Sequence, residues 1–152
     1  MLSTGAVVPD FEGPGCDGKP VRFRDYRGRR VVLFFFPKAF SAGCTEEVRA
    51  FRDNQARLRA LGAELIGVSV DRFETQCEFA RAENVAFPLL GDSDRRLSDL
   101  FGVLWPVVRF DRRVTFVIGP EGVVEEVIHH ERRVSRHLDD VLALLEGKRA
   151  NG

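Results

Sequence analysis

Cys44 is the residue with the most chemical reach in this chain, because of what stands around it. An all-apolar run, Val31-Val32-Leu33-Phe34-Phe35-Phe36, stops at Pro37; a short loop through Ser41 follows, and Gly43-Cys44 opens a segment of helical period. That pattern predicts a buried strand, a tight connection, and a helix whose first turn carries the thiol. A helix N-terminus offers unpaired backbone N–H groups and a partial positive charge of roughly half an electron. Such groups stabilise a thiolate, which is the nucleophilic form of cysteine. The sulfur also lies beyond the C-terminal end of a buried strand, where open α/β sheets place their chemistry.

The elements that position it can be read in order. Residues 5–18 are rich in Gly, Pro and Asp, Cys16-Asp17-Gly18-Lys19 forms a hairpin turn, and Val21-x-Phe23 alternates as a short strand. After Cys44, the residues Val48, Phe51, Gln55 and Leu58 fall at helical spacings, and Gly62 ends that helix. Residues 64–70, ELIGVSV, are the second strong strand. Asp71 is placed to cap the next helix, over about residues 72–83, with Phe73, Cys77 and Ala80 on one face. A short strand at 87–90 precedes Asp92-Ser93-Asp94, which caps a helix carrying Leu97, Leu100 and Phe101. Strands at 113–118 and 123–128 flank the turn Gly119-Pro120-Glu121-Gly122, and a last helix starts near Ser135 before a ragged tail, 148–152. Alternating strands and helices followed by a hairpin imply an α/β fold with a mixed central sheet flanked by helices on both faces.

Composition narrows the function classes. At 152 residues, with 44% hydrophobic and 30% charged residues, the chain reads as a single domain, 1–152, with a sizeable core. Twenty-three basic residues balance 23 acidic ones, so no global field favours nucleic acid or an anionic membrane. The N-terminus lacks the pattern of a signal peptide, and the longest wholly apolar run is six residues, so a cytoplasmic, membrane-free protein is expected. Cys16, Cys44 and Cys77 are too few and too widely spaced for a secreted disulfide scaffold, and no C-x-x-C is present. The acidic triplet at 92–94 lacks the calcium-loop pattern, and His129, His130 and His137 have no ligand spacing, so neither metal nor cofactor is expected. The histidines read as surface or internally satisfied residues.

The residues around the sulfur carry a family resemblance. Pro37-x-x-x-Ser41-x-x-Cys44 resembles the P-x-x-x-[TS]-x-x-C signature of the peroxiredoxins, the AhpC/TSA superfamily. The wider string from Phe36 to Thr45 is most similar to the bacterioferritin-comigratory (PrxQ) branch, with some AhpE-like character. Gly5-x-x-x-Pro9-Asp10-Phe11 resembles the family's opening, and Arg113-Val114-Thr115-Phe116 its R-x-[TS]-F strand. The resemblance implies a thioredoxin-like fold with an N-terminal β extension. It also implies a thiol-specific peroxidase acting on hydrogen peroxide and organic hydroperoxides.

By that resemblance Cys44 attacks the peroxide and becomes a sulfenic acid. Arg113 and Ser41 stabilise and orient the reacting atoms, and Pro37 shapes and shields the loop. Glu47 is either a hydrogen-bond anchor for the active-site arginine or an ordinary first-turn acid favoured by the helix dipole. Arg52 matches a further family position, with a solvated helix charge as the plainer alternative.

The resemblance implies a resolving cysteine either five residues after Cys44, where this chain has Arg49, or in the next helix, where it has Ala80. Cys77, one turn before Ala80, is the candidate resolving cysteine; reaching Cys44 across roughly 5 Å of helical rise needs local unfolding. The alternative for Cys77 is a buried core thiol, and Cys16 either resolves between subunits or does nothing. If neither resolves, Cys44 is recycled directly by an external thiol. Expected partners are the peroxide and thioredoxin or another thiol, for a monomer or homodimer. A different class remains open at this stage: a non-catalytic redox sensor or holdase built on the same fold. A dithiol reductase is disfavoured by the missing C-x-x-C.

Overall fold

The fold is built around β3, Arg30–Phe35, whose residues alternate between two apolar layers. Val32, Phe34 and Phe36 face one core with Cys44, Val48, Phe51 and Phe79, while Val31, Leu33 and Phe35 face a second with Ile66, Phe101 and Phe116. A strand reads as continuously apolar when both sheet faces are covered, and its two-residue period divides the run between them. Each fully buried phenylalanine here contributes on the order of 1.5–3 kcal/mol.

The computed structural model describes residues 1–151. In chain order, β1 (Glu12–Pro14) and β2 (Pro20–Arg22) form an antiparallel hairpin, followed by a 3-10 turn at Phe23–Tyr26 and then β3. The chain continues through α1 (Ala42–Asp53), α2 (Gln55–Ala60), β4 (Ala63–Ser69), α3 (Phe73–Ala82), β5 (Leu89–Gly91) and α4 (Arg96–Phe101). The hairpin β6 (Val114–Ile118) and β7 (Val124–His129) leads to α5 (Ser135–Asn151). The main sheet has the order β5-β4-β3-β6-β7, with β3, β4 and β5 parallel and β6 and β7 antiparallel to their neighbours. Side chains of α1, α2, α3 and α5 fill the first core, and α4 with Val8 and Phe11 of the N-terminal segment covers the second. This is the mixed, two-faced sheet that the alternation of elements predicts.

Three local expectations are corrected. The helix after Cys44 is two helices, because Asn54 leaves helical geometry (φ −112°, ψ 10°) and its Nδ2 donates back to the Ala50 carbonyl at 2.9 Å. Asp71 does not cap α3, whose N-cap is Arg72; its Oδ2 instead accepts from Ala39 N at 2.7 Å and Ser69 Oγ at 2.6 Å. The tail expected to be ragged is helical through Asn151, and Gly152 lies outside the described residues. Asp92 does cap as expected, accepting from the backbone N–H groups of Leu97 and Ser98 at 3.1 and 2.7 Å. Among the described residues no helix is long and apolar enough to cross a membrane.

Candidate active site

Two strand registers bring the site together. β3 ends at Phe35, paired with Val68 on the parallel side and with Val114 on the antiparallel side. The antiparallel pairing delivers the start of β6 to the end of β3, so Arg113, one residue before β6, arrives beside the loop that follows β3. That loop, 36–41, is fastened to the β4–α3 turn by the Ala39–Asp71 hydrogen bond. It also holds Phe40 in the left-handed region (φ 65°), with its ring 5.0 Å from that of Phe79 on α3. A bulky residue is seldom found there without surrounding contacts to hold it.

Cys44 lies in the first turn of α1, is fully buried, and is a free thiol. Arg113 Nη2 donates to its sulfur at 3.5 Å, and Arg113 Nη1 donates to Glu47 Oε2. Two further donors of the arginine are held by one residue: Nε by the Glu131 carbonyl at 3.3 Å, and the backbone N–H by the Glu131 carboxylate at 3.1 and 3.2 Å. The guanidinium is thus held at Nε by Glu131 and at Nη1 by Glu47 while Nη2 meets the sulfur. Gly43 leaves the needed room, since a Cβ there would lie 3.3 Å from Arg113 Nη2.

Burial and charge pull against each other in the Arg113–Glu47 pair. Burial alone pulls the Arg113 guanidinium down, but the charges of Glu47 and Cys44 push it above its ordinary value, so it stays a cation. Burial pushes the Glu47 carboxyl up to about 7, against the pull of Arg113. Glu47 Oε1 is buried without a hydrogen-bond partner among the described residues, which disfavours its charged form further.

Beneath β6 lies a neutral polar tether. His137 is fully buried, and burial holds its imidazole down at about 4. Its Nε2 donates to the His130 carbonyl at 2.9 Å, so its Nδ1 is the acceptor for the Thr115 hydroxyl at 2.7 Å. The tether joins β6 to the segment after β7 that carries Glu131, and His129 Nε2 lies 2.7 Å from Glu131 Oε1.

Cys44, Arg113 and Glu47 thus lie together, and Glu47 is buried and accepts a hydrogen bond from Arg113. Pro37 begins the loop. The Ser41 hydroxyl is turned to the Lys38 carbonyl at 2.8 Å rather than to the sulfur. Arg52 belongs elsewhere, donating to the Glu83 carbonyl and to Asp53. Cys77 differs most from expectation. It forms a disulfide with Cys16, 61 residues away, with a Cα–Cα distance of 5.6 Å. In this state Cys77 has no thiol with which to resolve Cys44.

Residues 4–127 match the AhpC/TSA family. The chain belongs to that family. It is 35% identical to peroxiredoxin Bcp of Escherichia coli over 152 residues, 95% of this chain and 96% of that protein. Among solved structures it resembles peroxidoxin BcpB of Mycobacterium tuberculosis (TM-score 0.89, 34% identity, 97% and 98% of the two chains). It also resembles the bacterioferritin comigratory protein of Xanthomonas campestris, described for its alkyl peroxide reduction activity (TM-score 0.87, 28% identity, 97% and 99%). The fold is thioredoxin-like, and the enzyme is a peroxiredoxin of the Bcp/PrxQ type, a thiol peroxidase.

Proposed function

We propose that Cys44 is the peroxidatic residue and that Arg113 is its electrostatic partner in reducing hydrogen peroxide and organic hydroperoxides. The observation that carries this reading is the hydrogen bond from Arg113 Nη2 to the sulfur of the fully buried Cys44 in the first turn of α1. The thiolate attacks the nearer peroxide oxygen, the O–O bond breaks, and the departing alkoxide or hydroxide takes a proton to leave as alcohol or water. Sulfur is left as a sulfenic acid. A fixed guanidinium is suited to the negative charge that passes from sulfur to the leaving oxygen, and its effect is largest where water is excluded.

Glu47 acts by positioning Arg113, and Pro37 by shaping the loop and removing one N–H from it. Ser41 serves the substrate if its hydroxyl swings from the Lys38 carbonyl when peroxide enters. Thioredoxin or another thiol returns the enzyme to its reduced state. The chain acts as one cytoplasmic domain, as a monomer or homodimer.

Steady-state peroxide consumption with excess thiol reductant tests the reading. Many equivalents consumed per enzyme, lost in Cys44→Ser, are expected; consumption that stops near one equivalent contradicts it and makes the protein a redox sensor.

A further inference from the structure

The disulfide between Cys16 and Cys77 lies outside the Arg113 site. We propose that this pair is a second redox centre that takes the oxidising equivalent from Cys44, with Cys16 as the terminal thiol of a three-cysteine relay. The inference rests on the reading of Cys44 as the peroxidatic residue.

The geometry of α3 carries it. At 100° per residue, Cys77 and Phe79 stand about 200° apart around the helix. Phe79 is the residue that packs toward the Cys44 loop, with its ring 5.0 Å from Phe40 and 6.0 Å from Phe36. Cys77 is therefore at the opposite edge of the buried arc, toward the β1–β2 hairpin that carries Cys16. Gln76 Nε2, donating to the Leu90 carbonyl at 2.8 Å, fastens the helix between them.

A Cys44–Cys77 bond consequently requires α3 to turn or unwind. A Cys16–Cys77 bond requires nothing of the kind, since the folded chain already holds it. Two disulfides that share Cys77 then differ by the cost of disrupting α3, and exchange from the first to the second is driven by the refolding of that helix.

The hairpin is made to present Cys16. Gly15 N donates to the Lys19 carbonyl at 3.1 Å, and a Cβ at Gly15 would lie only 2.2 Å from that oxygen, so the tight turn admits only glycine. Cys16 is exposed and lines a surface cleft of about 900 Å³ together with Lys19, Arg22 and Arg29. An external thiol can thus reach Cys16 without opening the Cys44 site.

Atoms and electrons balance in three steps after peroxide attack. The Cys77 thiolate attacks the Cys44 sulfenic sulfur, forming Cys44–Cys77 and releasing hydroxide, which leaves as water. The Cys16 thiolate attacks the Cys77 sulfur, forming Cys16–Cys77 and expelling Cys44 as a thiolate into the Arg113 hydrogen bond. Two equivalents of an external thiol then reduce Cys16–Cys77 and leave as a disulfide.

The test starts from fully reduced protein and one equivalent of hydrogen peroxide, followed by alkylation, intact mass and disulfide mapping. Wild type should lose two thiols and yield linked Cys16 and Cys77 peptides with Cys44 alkylated. Cys16→Ser should accumulate Cys44–Cys77. The relay is overturned if wild type ends with oxidised Cys44 and both other cysteines alkylated, or stops at Cys44–Cys77. It is equally overturned if Cys16→Ser halts at a sulfenic acid. Cys44→Ser separates this failure from that of the underlying reading: formation of Cys16–Cys77 there as fast as in wild type removes Cys44 as the peroxide-reacting sulfur altogether.

Discussion

The two sulfur centres of this chain are opposites in construction. Cys44 is fully buried on the first turn of a helix, with one arginine donor on its sulfur and that arginine fixed by Glu47 and Glu131. Cys16 stands exposed on a hairpin tip, joined to a cysteine at the edge of a short helix. The first arrangement fixes charge around a sulfur and shields it from water, which favours attack on a small neutral peroxide. The second exposes a sulfur at a hairpin tip, which favours exchange with another thiol. Reactivity toward peroxide and reactivity toward thiols are thereby separated in space.

The largest break in that contrast is expected at the Cys44 end. Cys44→Ser should lower kcat/KM for peroxide by at least about a thousandfold, while Cys16→Ser and Cys77→Ser leave the single-turnover oxidation of Cys44 within a few-fold of wild type. Arg113→Met should cost roughly a hundred- to a thousandfold in the same rate constant, the scale of losing one preorganised charge-stabilising donor. Stopped-flow oxidation by hydrogen peroxide checks both.

Glu131→Gln is expected to act more mildly, by about tenfold, because the Arg113 Nε bond to the Glu131 backbone carbonyl survives the change. A rate equal to wild type would mean that the carboxylate at 131 does not position the arginine.

The smallest effect on rate is expected at Asp111, two residues before Arg113. It is fully buried, both its oxygens lack hydrogen-bond partners among the described residues, and burial pushes its carboxyl up to about 7. An acid raised in the folded state contributes stability below its unfolded pKa of about 4, and that contribution is lost as pH rises through about 7. Asp111→Asn should flatten this fall and make the protein more stable than wild type at pH 8, by on the order of a few kcal/mol, with peroxide kinetics unchanged. Denaturant melts across pH 4–8 read it directly, and an unchanged slope would contradict it.

How much of this was legible in the sequence depended on distance along the chain. The run 31–36 and the strand beginning at Arg113 are local patterns, and each predicted its element to within a residue or two, whereas the helical period after Cys44 predicted the start of α1 but not the break at Asn54. The meeting of Cys44 with Arg113, 69 residues apart, was legible only through the family motif, because no local signal gives a strand register. Glu131 was not legible at all: its role comes from folding the segment after β7 back over the start of β6. Asp71 looked like a helix cap because the cap pattern is local, whereas the acceptor it provides to Ala39 is tertiary. His137 read as a surface or internally satisfied histidine, and it is the second, but its partners Thr115 and the His130 carbonyl are tertiary and had no local signal. Cys77 was read by its place one turn before Ala80, the family's resolving position, but its partner is set by where the β1–β2 hairpin lands.

The central claim is that Cys44 is the sulfur that meets peroxide. Its most direct test uses the Cys16→Ser/Cys77→Ser double variant, in which Cys44 is the sole thiol, treated with one equivalent of hydrogen peroxide in the presence of a sulfenic-acid trap. A single trapped adduct, mapped to Cys44 and slowed at least about a hundredfold by adding Arg113→Met, is the predicted result. A Cys44 that stays reduced, or one that is oxidised at the same rate with and without Arg113, would contradict the account.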